Sequence, residues 1–327
     1  RQMCIRDRYY TLSSQLYMNI NSRDTQTGFA MAILMIIIAS IAVFVNQKLI
    51  GSRKSYATIG GKGGRSTLIG LGKVGRPVIT AALFVFFAVG IIMPIVILVM
   101  ESFMLKEGIY SLDNFTLHYW IGESNPQIME GLPGIFKNDE FINSLFNSLR
   151  LTLVNGVFGT IFGQLLGYIT AKGRGRLHGK LVEQLVFIPY LIPSVAFGGI
   201  YLSMFSQPQQ IFGVTLVPAL YGTFALLTLV SVVKHLPFAA RAGTSNMLQI
   251  SGELEEAATI EGAGFFRRFV KIVFPLSKGG FISGFMLIFV SIMKELDLII
   301  LIMTPTTSTL PYLAFRYQNG NSPQASD

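Results

Sequence analysis

The feature that most constrains this chain is a set of long apolar runs. Residues 28–45, 77–100, 151–171 and 211–233 contain no charged side chain; 181–205 carries one acid, Glu183; 279–303 is interrupted only by Lys294, Glu295 and Asp297. A helix rises 1.5 Å per residue and a bilayer's hydrocarbon layer is ~30 Å thick, so about 20 such residues cross it. Buried helices of soluble proteins seldom hold more than ~10–14 consecutive apolar residues, and six longer runs in 327 residues exclude that reading. Composition agrees. Charged residues make up 13% of the chain and the mean hydropathy is +0.54, against roughly 25% charged in an average soluble domain. A soluble enzyme, a disordered chain and a fibre are thereby excluded. The single cysteine, Cys4, rules out a disulfide framework, and His118, His178 and His235 are too far apart in sequence to suggest a metal cage. The expected fold is an all-α membrane protein with about six transmembrane helices.

The links between runs alternate in charge. Segment 46–76 holds Lys48, Arg53, Lys54, Lys62, Arg65, Lys73 and Arg76 and no acid, whereas 101–141 holds seven acids against Lys106 and Lys137. Segment 172–180 is again basic, with Lys172, Arg174, Arg176 and Lys180; 206–210 is neutral; 234–278 mixes six basic residues with four acids. Basic links stay on the cytoplasmic side, which places the first, third and fifth links inside and both chain ends outside. The net charge of +9 is thus topological. A nucleic-acid partner would need that charge gathered on one folded face, so none is expected.

Several patterns carry less than they suggest. Gly70-Leu-Gly72-Lys-Val-Gly75 fits a dinucleotide fingerprint in form, but an apolar run follows it and the first acid is Glu101; a flexible linker is the better reading. No phosphate-binding G-x-x-x-x-G-K-[ST] occurs, so any ATP the protein uses must be bound elsewhere. Gly159, Gly163 and Gly167 recur every fourth residue and should let another helix approach closely. Pro189 and Pro193 each remove a backbone donor from the fourth run and should bend or break it. The carbonyls freed there need partners, and broken spans often line a cavity. Pro189, Pro193 and Ser194 are therefore candidates for a translocation path or gate. Lys294 and Glu295 join them, because ionisable groups in a span usually face a cavity or one another. With Asp297, they are expected to pair internally toward the outer half of the sixth span, substrate contact being the alternative.

The link between the fifth and sixth runs is the most informative. Ser251 can cap a short helix whose first turns are acidic (Glu253, Glu255, Glu256) and whose middle is small, Ala257-Ala258. Gly262 and Gly264 should end it and permit a sharp turn. A second helix is expected over 265–274, with Arg267, Arg268 and Lys271 on its polar side, and Pro275 marks entry into the sixth span. Four acids in so short a loop argue against docking on an anionic membrane.

At these residues the chain resembles the permease subunits of binding-protein-dependent (type I) ATP-binding-cassette importers. Their signature is E-A-A, three residues, G, nine residues, then I-x-L-P. Glu256-Ala257-Ala258, Gly262, Ile272 and Pro275 match that spacing, with Phe274 in place of the usual Leu. The resemblance implies a permease core with a cytoplasmic coupling helix that seats in a separate ATPase dimer. Glu256, Ala257, Ala258, Gly262, Gly264, Ile272 and Pro275 are then the coupling residues. It further implies an extracytoplasmic substrate-binding protein, a second permease core, ATP and Mg bound only by the ATPase partner, and residence in the bacterial inner membrane as a multi-pass protein. The chain itself would bind no cofactor and would be a transport subunit, not an enzyme.

Lys294-Glu295-Leu296, the run Thr307 to Tyr317, and Tyr56-Ala-Thr-Ile-Gly-Gly-Lys-Gly63 most resemble the double-length ferric-iron permeases; thiamine, polyamine, sulfate and phosphonate permeases share much of this. Residues 1–8, RQMCIRDR, have no initiating Met and no signal-peptide pattern and are expected to be a non-native, adapter-like segment. The division the resemblance implies begins with the last helix of a preceding core (9–50) and a basic linker (51–76). A first helix with an acidic outer loop (77–141), a core (142–318) containing the signature loop 251–276, and a truncated outer loop (319–327) follow. A competing class is an ion-coupled secondary transporter, which would place ionisable groups at the membrane midplane without an ATPase. A membrane enzyme has no supporting constellation within the spans.

Overall fold

A computed structural model describes residues 16, 25–50, 70–106, 108–128, 131–211 and 214–319. The adapter-like segment 1–8, most of the basic linker, and residues 320–327 lie outside the described residues. The described chain is almost wholly helical. Its long helices are α1 (Thr25–Ile50), α2 (Gly72–Glu101), α3 (Asp139–Lys172), α4 (Leu177–Leu191), α5 (Ser194–Phe205), α6 (Phe224–Met247), α7 (Gly252–Ile260), α8 (Phe265–Met293) and α9 (Leu310–Asn319). Helices α2, α3, α6 and α8 are each long and apolar enough to cross a membrane, and α4 with α5 forms one span broken by a 97° bend. Within α1, Gln26–Ile41 is a shorter apolar helix.

The fifth and sixth runs are displaced from their expected positions. Residues expected to open the fifth span instead form a small antiparallel hairpin, β1 (Gln209–Ile211) with β2 (Val214–Val217), in the register Gln209↔Val217 and Ile211↔Val214. Val214, Thr215 and Val217 are β-branched and prefer a strand, and Pro218 has no N–H to continue the ladder. Gly222 then takes a left-handed conformation (φ +81°), and Thr223 caps α6 by accepting the Leu226 amide at 3.3 Å. The span therefore starts at Phe224 and carries Lys234, His235 and Arg241 inside it.

The sixth span corrects the expectation in the other direction. The second helix of the signature loop is not separate; it is the start of α8, which ends at Met293, so Lys294, Glu295 and Asp297 follow the helix. Pro275 is tolerated because the preceding turn, Phe269–Val273, widens to π spacing, with the Phe274 amide bonded to Phe269 O. The wider turn relieves the clash a proline ring makes with the carbonyl four residues back. In α2 the same device precedes Pro94: Ala88–Ile92 is a π-turn closed by the Met93 amide on Ala88 O.

One compact unit comprises the described parts of 1–62 and 147–311. Its core joins Leu226, Leu227 and Val230 of α6, Ile288 and Ile292 of α8, Phe197 of α5, and Leu298, Ile299 and Ile302 of the segment after α8. The glycine row of α3 sets the spacing. A Cβ on Gly163 or Gly167 would strike the α6 backbone at Ala239–Ala240 and Gly243–Thr244, and one on Gly156 or Gly159 would strike Phe285 and Ile288 of α8. Helix α1 packs on α4 and α5 through Phe29, Ala32 and Ala196. The second unit, 63–146 and 312–327, holds α2 and the folded acidic loop that follows it. In that loop Trp120 stacks on Phe103 at 5.4 Å, Lys137 pairs with Glu123, and Asn138 caps α3 through the Glu140 amide at 2.9 Å. Arg316 reaches Glu140, and Tyr317 accepts from Asn138 at 3.2 Å.

Candidate functional site

The signature loop folds into a knuckle of two helical legs. Ser251 caps α7, its Oγ accepting the Glu253 amide at 3.4 Å. The other end closes as a Schellman motif: Ala263 N donates to Ala258 O at 2.9 Å and Gly262 N to Thr259 O at 3.0 Å. That closure needs a left-handed residue, and Gly262 supplies it at φ +78°. Gly264 differs from its expected role. Its φ is −67° and a Cβ there would meet nothing within 4 Å, so the turn does not demand a glycine at that position.

The knuckle divides its residues between an exposed tip and an anchored inner face. Glu256, Ala257, Gly262 and Gly264 are exposed and Ala258 is half-buried; Ile260 and Phe266 stand out at 86% and 80% exposure. Ile272 and Pro275 lie farther along, in the π-turn and body of α8. Glu255, which the signature pattern does not single out, turns inward. It is 7% exposed, and its two carboxylate oxygens meet Lys172 Nζ at 2.6 Å and Tyr168 Oη at 2.7 Å. Arg268 donates to Thr259 Oγ1 and joins the two legs. The signal in the sequence was the pair Tyr168 and Lys172, four residues apart on one face where α3 ends.

A second constellation lies at the break in the fourth span. Pro193 ends the α4 ladder, leaving the carbonyls of Pro189 and Ile192 without helical donors. Lys234 Nζ donates to both, at 3.0 Å to Pro189 O, and sits 5.4 Å from the Phe197 ring. The next residue, His235, holds Ser231 O at 2.9 Å with Nδ1 and Glu295 Oε2 at 3.4 Å with Nε2. Glu295 Oε1 in turn accepts the Leu298 amide at 3.1 Å. Two candidate path positions, Pro189 and Glu295, are thus brought together through Lys234 and His235, which the sequence pattern assigned to a loop. Ser194 opens α5 and is half-buried. Lys294 and Asp297 are exposed and form no ion pair among the described residues, so these three residues do not pair with one another inside the span; Glu295 meets His235 of α6 instead. A pocket of about 200 Å³ lies nearby, lined by Thr170, Glu183, Phe187, Arg241 and Thr244, with the Arg241 guanidinium 4.3 Å over the Phe187 ring.

The model of the family described as "binding-protein-dependent transport system inner membrane component" matches residues 163–325, which include the knuckle and the break. By this segment the chain belongs to that permease family. The sulfate transport system permease of Synechocystis sp. is 26% identical over 175 residues, covering 52% of this chain and 57% of the relative. The ferric transport system permease of Actinobacillus pleuropneumoniae is 22% identical over 318 residues, covering 94% of this chain and 42% of the relative. The molybdate/tungstate permease of Pyrococcus abyssi is 28% identical, covering 57% and 69%. The chain thus spans little more than half the length of the sulfate permease and less than half that of the ferric one. In fold, it is similar to a bacterial ABC transporter involved in import of the acidic polysaccharide alginate, with TM-score 0.57, 17% identity, and 77% of this chain and 87% of the other covered. The chain is a multi-pass membrane protein with an importer permease fold.

Proposed function

We propose that this chain forms part of the substrate path of an ATP-driven importer and couples that path to a separate ATPase. The observation that carries the reading is the knuckle: Glu256, Ala257 and Gly262 stand exposed at its tip, at the permease-signature spacing, on a loop anchored to the membrane helices by Glu255. In this reading the knuckle faces the cytoplasm and seats in a cleft of a nucleotide-binding subunit, one of a dimer that binds ATP and Mg. An extracytoplasmic binding protein delivers solute to the acidic outer face, between this core and a second one. ATP-driven closure of the ATPases moves the knuckles together and biases the spans between inward- and outward-facing states, an equilibrium each ligand shifts only by its difference in affinity for the two. The membrane is a bacterial inner membrane.

The substrate we propose is ferric iron or a similar small solute. The ferric permease supports this because its similarity runs along 94% of the chain, where the sulfate permease matches 52%. That extent also supports a double-length permease, with α1 closing a preceding core. The buried Lys234 and His235, with the partly buried Glu295, favour a second reading, an ion-coupled carrier, since such carriers need ionisable groups at membrane depth. Reconstitution with a partner ATPase and binding protein separates the two. Uptake that requires ATP and disappears in Glu256→Lys or Gly262→Val supports the importer. Uptake driven by an ion gradient without nucleotide overturns it.

A further inference from the structure

We propose that Glu255, Tyr168 and Lys172 form the joint through which movement of the knuckle reaches the membrane helices, so that Glu255 is a positioning residue for coupling, distinct from the exposed Glu256. The inference rests on the importer reading and adds where the force enters the spans.

The geometry makes Tyr168 the centre of this joint. Its hydroxyl donates to Glu255 on α7, while its ring meets Phe265 and Phe269 of α8 edge-on at 5.7 and 5.8 Å. Lys172, the last residue of α3, pairs with the other Glu255 oxygen and lies 5.9 Å from the same ring. Both legs of the knuckle are therefore fastened to one end of α3. Around them, Met247, Ile250 and Val273 are buried and pack with Tyr168, Ala171 and Phe269. A carboxylate with both oxygens engaged and little water around it resists displacement, because parting the pair would leave a buried charge without a partner. The π-turn Phe269–Val273 begins where the joint ends, and such turns are frequent at functional sites. A displacement of α7 is thus handed to α3. Helix α3 cannot slide freely past α6, because Gly163 and Gly167 leave no gap between their backbones.

The test uses the complete importer in lipid nanodiscs, with its ATPase and binding protein, and reads two quantities: retention of the ATPase subunit on purification, and stimulation of ATP hydrolysis by loaded binding protein. Tyr168→Phe removes only the hydroxyl, and Glu255→Gln removes the charge and one of the two acceptor oxygens. Both are expected to retain the ATPase and to lose about tenfold in stimulation, equivalent to ~1.4 kcal/mol of coupling. The exchange Glu255→Lys with Lys172→Glu is expected to restore most of it. A merely structural role would instead lower ATPase retention in step with stimulation. Wild-type stimulation in both single variants, or equal loss of retention and stimulation, overturns the joint. A wild-type complex that neither retains an ATPase nor responds to binding protein overturns the importer reading itself.

Discussion

Replacing Gly167 by alanine tests the packing on which the fold depends. A Cβ at this position would lie 2.5 Å from Thr244 N, 2.6 Å from Gly243 C and 2.8 Å from Gly243 Cα. All three are backbone atoms of α6, so no side chain can swing aside, and the two helices must separate by about 1 Å to reach ordinary contact distances. Overpacking of this kind costs about 1–3 kcal/mol. The substitution also raises helix propensity by ~1 kcal/mol, which would obscure the result if Gly167→Ala were measured alone. Gly279→Ala provides the reference. Gly279 is exposed on α8 and a Cβ there meets nothing within 4 Å, so the propensity gain is shared and cancels in the comparison. What remains is the overpacking cost. At roughly 2–4 °C per kcal/mol for a folded unit of about 150–250 residues, the size class of the unit that holds both helices, Gly167→Ala should melt about 2–12 °C below Gly279→Ala in the same detergent at the same scan rate. Equal melting temperatures would refute the close crossing of α3 and α6.

Gly262→Ala should cost about 1–2 kcal/mol through its left-handed backbone alone, since nothing lies within 4 Å of its Cβ position; Gly264→Ala should be near neutral, and paired thermal melts decide it. Lys234→Met orphans the carbonyls of Pro189 and Ile192 at about 1–3 kcal/mol each, offset by relief of the buried ammonium. Its signature is therefore local: amide hydrogen exchange over 189–197 rises while exchange over α8 stays constant, and unchanged exchange at the break refutes the capping role. In the acidic loop after α2, the hydrogen bond and charge of Lys137 hold the Glu123 carboxyl below the usual carboxylate range. A lowered folded-state value stabilises above the ordinary carboxylate pKa and is lost as pH falls through the lowered one, so the 123–137 contact should loosen in acid. Glu123→Gln should remove that dependence in hydrogen exchange; a response that persists would assign it elsewhere.

The second and third spans were legible because uncharged runs bounded by charged links need no further information; the first run, 28–45, falls on α1, whose described apolar part, Gln26–Ile41, is shorter than a span. The break in the fourth was legible from Pro189 and Pro193, since neither can donate to a helix ladder. The fifth span was misplaced by 13 residues at its start for a physical reason. Lys234, His235 and Arg241 looked like the end of a hydrophobic run, yet Lys234 is held at membrane depth by two carbonyls and His235 by Ser231 O and Glu295. A charge can enter a span when tertiary structure supplies its partners, and of these only Ser231 is local; Pro189, Ile192 and Glu295 lie far from α6 in sequence. Pro218, Gly222 and Thr223 were the local signals that mark the true start. At the knuckle, the signature spacing identified Glu256 and Gly262, whereas the inward Glu255 depended on which face of α7 meets α3. One residue of rotation on a helix separates an exposed carboxylate from a buried one.

These contacts join the knuckle to the break in the fourth span without a gap. Glu255 fastens α7 to the end of α3; Gly163 and Gly167 set α3 against the backbone of α6; Lys234 and His235 of α6 hold the break and the segment after α8. Spatial continuity is not coupling by itself, and what matters is the compliance of each link. The glycine contact is backbone against backbone and is the stiffest. The Glu255 carboxylate is held at both oxygens. The His235–Glu295 contact, at 3.4 Å with Glu295 only partly buried, is the loosest. A conformational change that starts at the knuckle should therefore carry α3 and α6 together and release its motion where α6 meets Glu295 and the broken span, which is where the chain has already given up a continuous helix.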